Sequence, residues 1–247
     1  DESVSIYRVH DLPSKEKTED LAFFLRSLGY KITLRDGVIP SYEINKLLAS
    51  LAGKSEEGTV NRAIIRSMAK AIYSTKNIGH YGLAFKYYTH FTSPIRRYPD
   101  IIIHRLLADY LANLSGKKLS KEKLKTEFLE FEKIARISSE QEKRASDAER
   151  ASIKYKQVEY MSKRIEEKFK GIISGITEWG MYVEEIETKC EGLVKVRDMS
   201  DDFYIFNEKK LELVGQKKNK RYRLGDNVKI KVKAVDLERK TIDYILV

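Results

Sequence analysis

Over the first 165 positions apolar residues recur at the three-to-four-residue spacing of helices, and after position 168 that period gives way to alternation. Leu21, Phe24, Leu25 and Leu28 form one stripe between the start signal Pro13-Ser14 and the stop Gly29, which predicts a helix over 14–28. A second helix is predicted over 42–52, with Ser41 as its cap and Gly53 at its end. A third, over 56–74, carries Ile64, Ile65, Met68, Ala71 and Ile72. Residues 80–88 alternate briefly and read as a strand, whereas 100–114 return to a helical pattern. The run LSGKKLSKEK, 114–123, reads as a polar connection. Two long helices are predicted next. The first covers 121–137 and carries Leu124, Phe128, Phe131 and Ile134. The second starts at the capping-like run Ser138-Ser139-Glu140-Gln141-Glu142 and continues to about 167. Its alanines at 145, 148 and 151 lie on one side and its charges on the other, the pattern of a solvated helix that links two modules.

From Phe169 onward, FKGIISGITEWGMYVEEIETKCEGLVKV alternates and is cut by Gly171, Gly175, Gly180 and Gly192. NVKIKVKAVDLERKTIDYILV alternates again, with Lys229, Lys231 and Lys233 on one face and Val228, Ile230, Val232 and Ala234 on the other. Five short strands in so short a span predict a small barrel.

The length, 247 residues, allows one or two domains, and a 42% hydrophobic share is enough for a core. A net charge of +10 favours a polyanionic partner: RNA, DNA or an anionic membrane. No apolar run approaches the roughly 20 residues that cross a bilayer, so no membrane partner is expected. The lone Cys190 cannot form an internal disulfide, which points to a reducing, cytoplasmic setting. His10, His80, His90 and His104 are scattered without cysteine partners, so no zinc site is predicted. Charge is uneven. Residues 166–247 hold 17 Lys and Arg against 16 Asp and Glu, and the remainder holds 30 against 21. Within the barrel segment Lys217, Lys218, Lys220, Arg221, Arg223, Lys229, Lys231 and Lys233 face a single acid, Asp226, which predicts a local basic patch. The chain opens at Asp1 without a methionine or a leader, and is expected to be a piece of a longer protein.

The densest chemistry lies in THFTSPIRRYPD, residues 89–100. Phe91, Tyr98 and the nearby Tyr88 are candidates to stack on bases, and Arg96 and Arg97 offer planar forks for phosphate oxygens. Pro94 and Pro99 stiffen the backbone; Ser93 before proline is expected to be extended, and Tyr98-Pro99 to open a helix. Asp100 at that helix start complements the macrodipole and is expected to pair with the arginines, a structural role.

The stretch HYGLAFKYYTHFTSPIRRYPDIIIHRLL, 80–107, resembles the signature at the C-terminal end of the catalytic domain of the ribonuclease II and ribonuclease R family, and is nearer to ribonuclease R. IYRVHDLP and KRASDAER agree with it, and the alternating segment is similar to the S-one RNA-binding domain, an OB-fold. The resemblance implies an α+β architecture. Residues 1–165 would be the mostly helical C-terminal portion of a ribonuclease II-type catalytic domain, and 166–247 a five-stranded OB-fold (S-one) barrel. The activity implied is that of a processive, magnesium-dependent 3′-to-5′ exoribonuclease that hydrolyses RNA to nucleoside 5′-monophosphates.

The same resemblance assigns roles. Arg96 falls on the catalytic arginine, where a fixed guanidinium stabilises charge that develops on the phosphate; its plainer role would be an internal salt bridge. Arg97 is divided between RNA contact and structure. Glu149, in ASDAERASI, matches a glutamate that borders the RNA end, though a glutamate on a charged helix is usually only solvated. Trp179 and Tyr182 match two exposed aromatics of S-one domains, against the alternative that Trp179 caps the barrel core. Phe169 would add a third ring, Lys195 stands where many relatives have histidine, and Asp236 and Lys240 match the polar rim; Lys229 and Lys231 would hold phosphates.

The family's aspartate cluster for magnesium, resembling G-D-x(4–5)-D-x-D-D, does not occur here. Asp201-Asp202 is the only adjacent pair and lacks that context. The magnesium ligands, the rest of the catalytic domain and the cold-shock domains are therefore expected outside this chain. A monomeric piece that binds single-stranded RNA, with structured RNA also within reach, but does not hydrolyse it is the expectation. An inactive RNA-binding or scaffold protein of the same family is the alternative; a DNA-binding protein fits the charge but not the S-one likeness.

Overall fold

The computed structural model describes residues 4–54, 57–112, 121–208 and 210–247. The chain forms two compact units, one from 1–15 and 67–147, the other from 16–66 and 148–247.

In the first unit, β1 (Tyr7–Val9) pairs antiparallel with β2 (Ile72–Ser74). The ribbon packs Ile6 and Tyr73 against Ile102 of α4 (Tyr98–Ala112) and Ala135 of α5 (Lys121–Ser162), with Ile103, Leu106, Phe131 and Ile134 around them. Three expectations change here. The helix predicted over 56–74 ends at Ser67, as α3 (Glu57–Ser67), and Ile72–Ser74 is a strand. Its apolar stripe is not continuous: Tyr73 is buried while Ile72 is exposed, the alternation of a strand. The strand predicted over 80–88 is instead a single turn of 3-10 helix, Tyr81–Leu83, in which His80 accepts the Leu83 amide. No ladder extends there because the Gly82 amide donates to His10 Nδ1 at 2.9 Å. The two helices expected to meet near Ser139 are one helix. Ser139 Oγ donates back to the Ala135 carbonyl at 2.8 Å and accepts the Tyr73 amide at 2.9 Å, so it sits in the helix interior and does not cap it. That helix stops at Ser162, short of 167. The predicted start of α3 at 56, the end of α4 at 114 and the connection through 120 lie outside the described residues.

In the second unit, α1 (Lys15–Ser27) ends as expected at Gly29, whose φ of +88° only glycine adopts freely. The Tyr30 amide reaches the Leu25 carbonyl and the Gly29 amide the Arg26 carbonyl, both at 2.9 Å. The predicted 42–52 helix is α2 (Ser41–Leu51), with Pro40 in the cap position. Five strands close a barrel in the order β10-β5-β4-β3-β9: β3 (Lys168–Thr177), β4 (Gly180–Glu185), β5 (Glu191–Lys195), β9 (Asn227–Asp236) and β10 (Thr241–Leu246). All pairs are antiparallel except β5–β10, which is parallel. Ile173, Met181, Val183, Val194, Ile230, Val232, Ile242 and Tyr244 fill the interior, and Val158 and Met161 of α5 join that core. The sequence also folds a second, three-stranded sheet between β5 and β9: β6 (Tyr204–Asn207), β7 (Glu212–Gly215) and β8 (Arg221–Arg223). Register shifts interrupt the alternation twice, one of them between Ile173 and Gly175 of β3 against β4. The other, between Asp243 and Tyr244, leaves Ala234 exposed instead of inward.

Gly180 marks where β4 meets β5. A Cβ there would lie 2.1 Å from the Val194 carbonyl oxygen, and its φ is +155°. Gly180→Ala is expected to cost about 1–3 kcal/mol or more, since backbone must move to accept it; a denaturant titration of the variant beside the parent chain checks this.

Candidate nucleic-acid interface

In the first unit, residues 88–100 are fixed at nearly every position. The Arg8 amide donates to the Tyr88 carbonyl at 2.9 Å, and Thr89 Oγ1 donates to the Ile6 carbonyl at 2.8 Å. His90 Nδ1 and the Tyr73 hydroxyl share a 2.8 Å hydrogen bond. The His104 ring stacks on Phe91 with centroids 3.9 Å apart and donates through Nε2 to the Phe91 carbonyl. The amides of Arg96 and Arg97 turn back onto the Ser93 carbonyl. Asp100, fully buried, accepts the Ser93 amide at 2.8 Å and faces the Arg97 guanidinium at 3.2 Å. This is the pairing expected of Asp100. Arg97 reaches Thr92 Oγ1 through the same Nη2, so it is turned into the fold, although its buried Nε and Asp100 Oδ1 have no hydrogen-bond partner among the described residues.

What remains outward is Ile95, fully exposed, and Arg96. No ion pair or hydrogen bond engages the Arg96 side chain among the described residues. Tyr98 is half exposed at the first turn of α4. Tyr88 is half-buried, edge-on to His80 and His90.

Behind this segment Arg8 makes a two-pronged contact with Glu142, at 2.6 and 3.0 Å, and lies over the Tyr73 ring. Burial, and then the guanidiniums of Arg97 and Arg8, push the His90 pKa down to about 4. Burial lowers His80 as well, helped by His10.

In the second unit, the barrel presents Trp179 in the turn between β3 and β4, 70% exposed, so it does not cap the core. Its carbonyl accepts the Val196 amide at 3.0 Å. Tyr182 stands outward on β4 opposite Gly175, whose lack of a side chain leaves room for the ring. Lys195 is bound to Asp243 on β10. Asp236 accepts the Arg239 amide at 2.9 Å and shapes the turn in which Lys240 sits exposed. Phe169 pairs with Ile230 and is half-buried, packed against the barrel core. Glu149 is exposed on α5; it and Arg96 belong to different compact units.

The basic patch read from 217–233 is largely neutralised by acids distant in sequence. Lys231 meets Glu166 at 2.6 Å, Lys233 meets Asp198 at 2.7 Å, and Lys220 faces Asp201 at 3.5 Å. Arg221 and Arg223 share the buried Glu212. Asp226, the one acid inside that run, instead accepts the Arg223 amide. Asp202 binds the amides of Phe203, Lys217 and Lys218, and Asp201 accepts the Tyr204 hydroxyl. The adjacent aspartates are thus turn anchors. Asp243 and Glu142 were not singled out by the sequence pattern, because their partners Lys195 and Arg8 lie far away along the chain.

Two domain families match: the RNB domain over residues 2–113 and the S1 RNA binding domain over 162–244. The chain belongs to the ribonuclease II and ribonuclease R family. It is 43% identical over 242 residues to ribonuclease R of Aquifex aeolicus, covering 98% of this chain and 33% of that protein. It is 38% identical over 242 residues to ribonuclease R of Thermotoga maritima, covering 98% and 34%. The chain therefore spans about a third of the length of the relatives it matches. Among solved structures, Mycoplasma genitalium ribonuclease R in complex with ribose-methylated single-stranded RNA superposes with a TM-score of 0.84 at 32% identity, covering 99% of this chain and 38% of that one. Within this family framework, the Arg96 turn lies in the RNB match, and Trp179, Tyr182, Lys195, Asp236 and Lys240 lie in the S1 match. No helix among the described residues is long and apolar enough to cross a membrane.

Two outcomes follow from the Asp100 and His90 environments. Asp100→Ala leaves the Arg97 guanidinium without its carboxylate and the Ser93 amide without its acceptor. Loss of about 3 kcal/mol is expected, the low end for a broken buried pair because Arg97 keeps some contact with water; denaturant unfolding measures it. His90 binds a proton near 6.5 when unfolded but only near 4 when folded. The unfolded chain then holds more protons between those values, so stability should be level above about pH 6.5 and decline towards pH 4. A His90→Gln variant should show a shallower decline in urea titrations across that range.

Proposed function

We propose that this chain is the C-terminal, RNA-gripping portion of a processive 3′-to-5′ exoribonuclease that hydrolyses RNA to nucleoside 5′-monophosphates. One observation carries the reading: among the described residues Arg96 has no side-chain partner, and it stands exposed on a turn whose other residues are held by the Ser93 carbonyl, Asp100, Tyr73 and His104. A guanidinium presented from a fixed backbone and not engaged inside the fold is available to receive phosphate oxygens as negative charge grows on them. Arg97 is the positioning partner, occupied by Asp100. Tyr98 and Phe91 border the same turn as surfaces for bases, and Glu149 is the acid assigned to the RNA end. On the barrel, Trp179 and Tyr182 stack on successive bases and Lys195, Asp236 and Lys240 frame them, while Lys229 and Lys231 hold phosphates further along the wall, opposite Lys170 and Lys168. The relative from Mycoplasma genitalium, described with single-stranded RNA, supports RNA as the ligand.

Magnesium is the metal this chemistry calls for, and the residues of this chain do not fit it. Asp201 and Asp202 are occupied by backbone amides and a tyrosine hydroxyl, and no group of three acids or histidines stands together among the described residues. The metal ligands are assigned to the N-terminal portion of the longer protein, along with cold-shock domains. On this division the segment by itself binds RNA and does not cut it. The same lack of fit favours a second reading, an RNA-binding or scaffold member of the family; an active full-length parent would eliminate it. The functional boundary is drawn near residue 165, and a cytoplasmic monomer is the working state.

Two measurements test the proposal. In the full-length protein, Arg96→Ala and Arg96→Lys should each slow single-turnover cleavage by about 100-fold or more and leave RNA affinity nearly unchanged, with lysine failing because it offers a point charge in place of a fork. Equal losses of rate and affinity would reduce Arg96 to an ordinary RNA contact. In the present chain, Trp179→Ala and Tyr182→Ala should each weaken binding of single-stranded RNA by about 1–3 kcal/mol while the melt stays cooperative; a lost melt would make either ring part of the core.

A further inference from the structure

Two pairs of lysines stand directly across from one another on the barrel wall. Lys168 of β3 is opposite Lys231 of β9, and Lys170 is opposite Lys229. Facing residues on neighbouring strands hold their Cβ atoms about 4.5–5.5 Å apart, and like charges there are destabilising. Seven other basic residues of the barrel segment avoid such cost by pairing: Lys189, Lys195, Lys220, Arg221, Arg223, Lys233 and Arg239 each face an acid. In the ladder only Lys231 does so, with Glu166. Lys168, Lys170 and Lys229 are exposed and have no acidic partner among the described residues. The acids that lead into β3 are already engaged, Glu166 by Lys231 and Glu167 by Arg164.

We infer that Lys168, Lys170 and Lys229 form a phosphate-binding strip on the barrel wall, distinct from the Trp179–Tyr182 face, that holds the backbone of single-stranded RNA without reading its bases. The inference rests on the RNA-binding reading of the barrel and adds a second contact to it. Phe169 and Ile230, between the lysines, point into the core, so the strip has no ring on which a base can stack. Lysines two apart on one strand repeat about every 6.8 Å, a step comparable with that between phosphates of an extended strand. The backbone beneath is fixed: the Ile186 amide donates to the Lys170 carbonyl and the Val247 amide to the Lys229 carbonyl, both at 3.1 Å. Lys170 lies five residues along β3 from Gly175, the partner of Tyr182, or about 17 Å. An RNA short enough to cover only the aromatic pair does not reach the strip.

The test compares the whole chain with its Lys168→Gln/Lys170→Gln/Lys229→Gln variant. Fluorescent oligouridylates of four and sixteen nucleotides are titrated over a range of salt. The variant should lose affinity for the 16-mer, with the salt slope falling by about 2, near 0.7 per phosphate contact. It should bind the 4-mer like the parent. Its melting temperature should hold or rise as the facing charges are removed, which a merely structural role would not give. A triple arginine variant should keep the slope. An unchanged slope, or equal loss on both lengths, overturns the strip. So does a variant that loses only binding to phosphatidylserine vesicles, which would make the strip a membrane contact. Trp179→Ala separates the two readings: if it weakens both oligomers while the glutamine variant binds normally, the strip alone falls, whereas a parent chain that binds neither oligomer removes the RNA-binding reading with it.

Discussion

The buried carboxylate of Asp100 is the constraint on which the first unit's functional segment depends. A carboxylate without exposed surface is costly unless it is paired and hydrogen-bonded. It is held here by the Ser93 amide, the Arg97 guanidinium and its place in the first turn of α4, where the helix end favours negative charge. The exchange is mutual. Arg97 turns inward to meet Asp100, Ser93 is fixed in place, and its carbonyl then gathers the amides of Arg96 and Arg97. With Ser93, Arg97 and Asp100 drawn into the fold, Arg96 is left facing outward beside the exposed Ile95. Adjacent arginines that look equivalent in sequence thus become a structural one and an available one.

The barrel shows the complementary case, in which charge is sorted by distance in space. Its basic residues cluster in the chain, yet the acids that meet them come from Glu166, Asp198, Asp201 and Glu212. An exposed pair such as Lys231–Glu166 adds little stability, whereas Glu212 is buried and depends on its two arginines. Their consequence is selective: among the described residues they take eight of the barrel segment's seventeen cations out of play. Net charge over a segment therefore says less about where a polyanion is held than the list of cations without partners.

Legibility followed the range of the interactions. The closed barrel could be read from alternation, since a period of two fixes which residues face inward. The α1 stop at Gly29 could be read because a cap is local. The segment 89–100 could be read from composition and family likeness, though not the division of labour between Arg96 and Arg97, which depends on a buried acid. Failures came where a partner far along the chain overrode the local signal. Ser139 looked like a cap and instead receives Tyr73 from β2; residues 80–88 looked extended but His10 claims the Gly82 amide. The three-stranded sheet was missed because its strands are short and the acids that anchor its turns read as an ordinary loop.

The parallel β5–β10 pair has a consequence for how the chain is made. Every other seam of the ring joins antiparallel neighbours, whereas this one waits for the final strand, more than forty residues after β5. During synthesis, β5 and β9 leave the ribosome with open edges, and open edges invite wrong partners. A message cut short before β10 would yield a chain with its aromatic turn already written but no closed wall to hold it. Translation through β10 is then the step that separates a nascent chain with open edges from a closed wall.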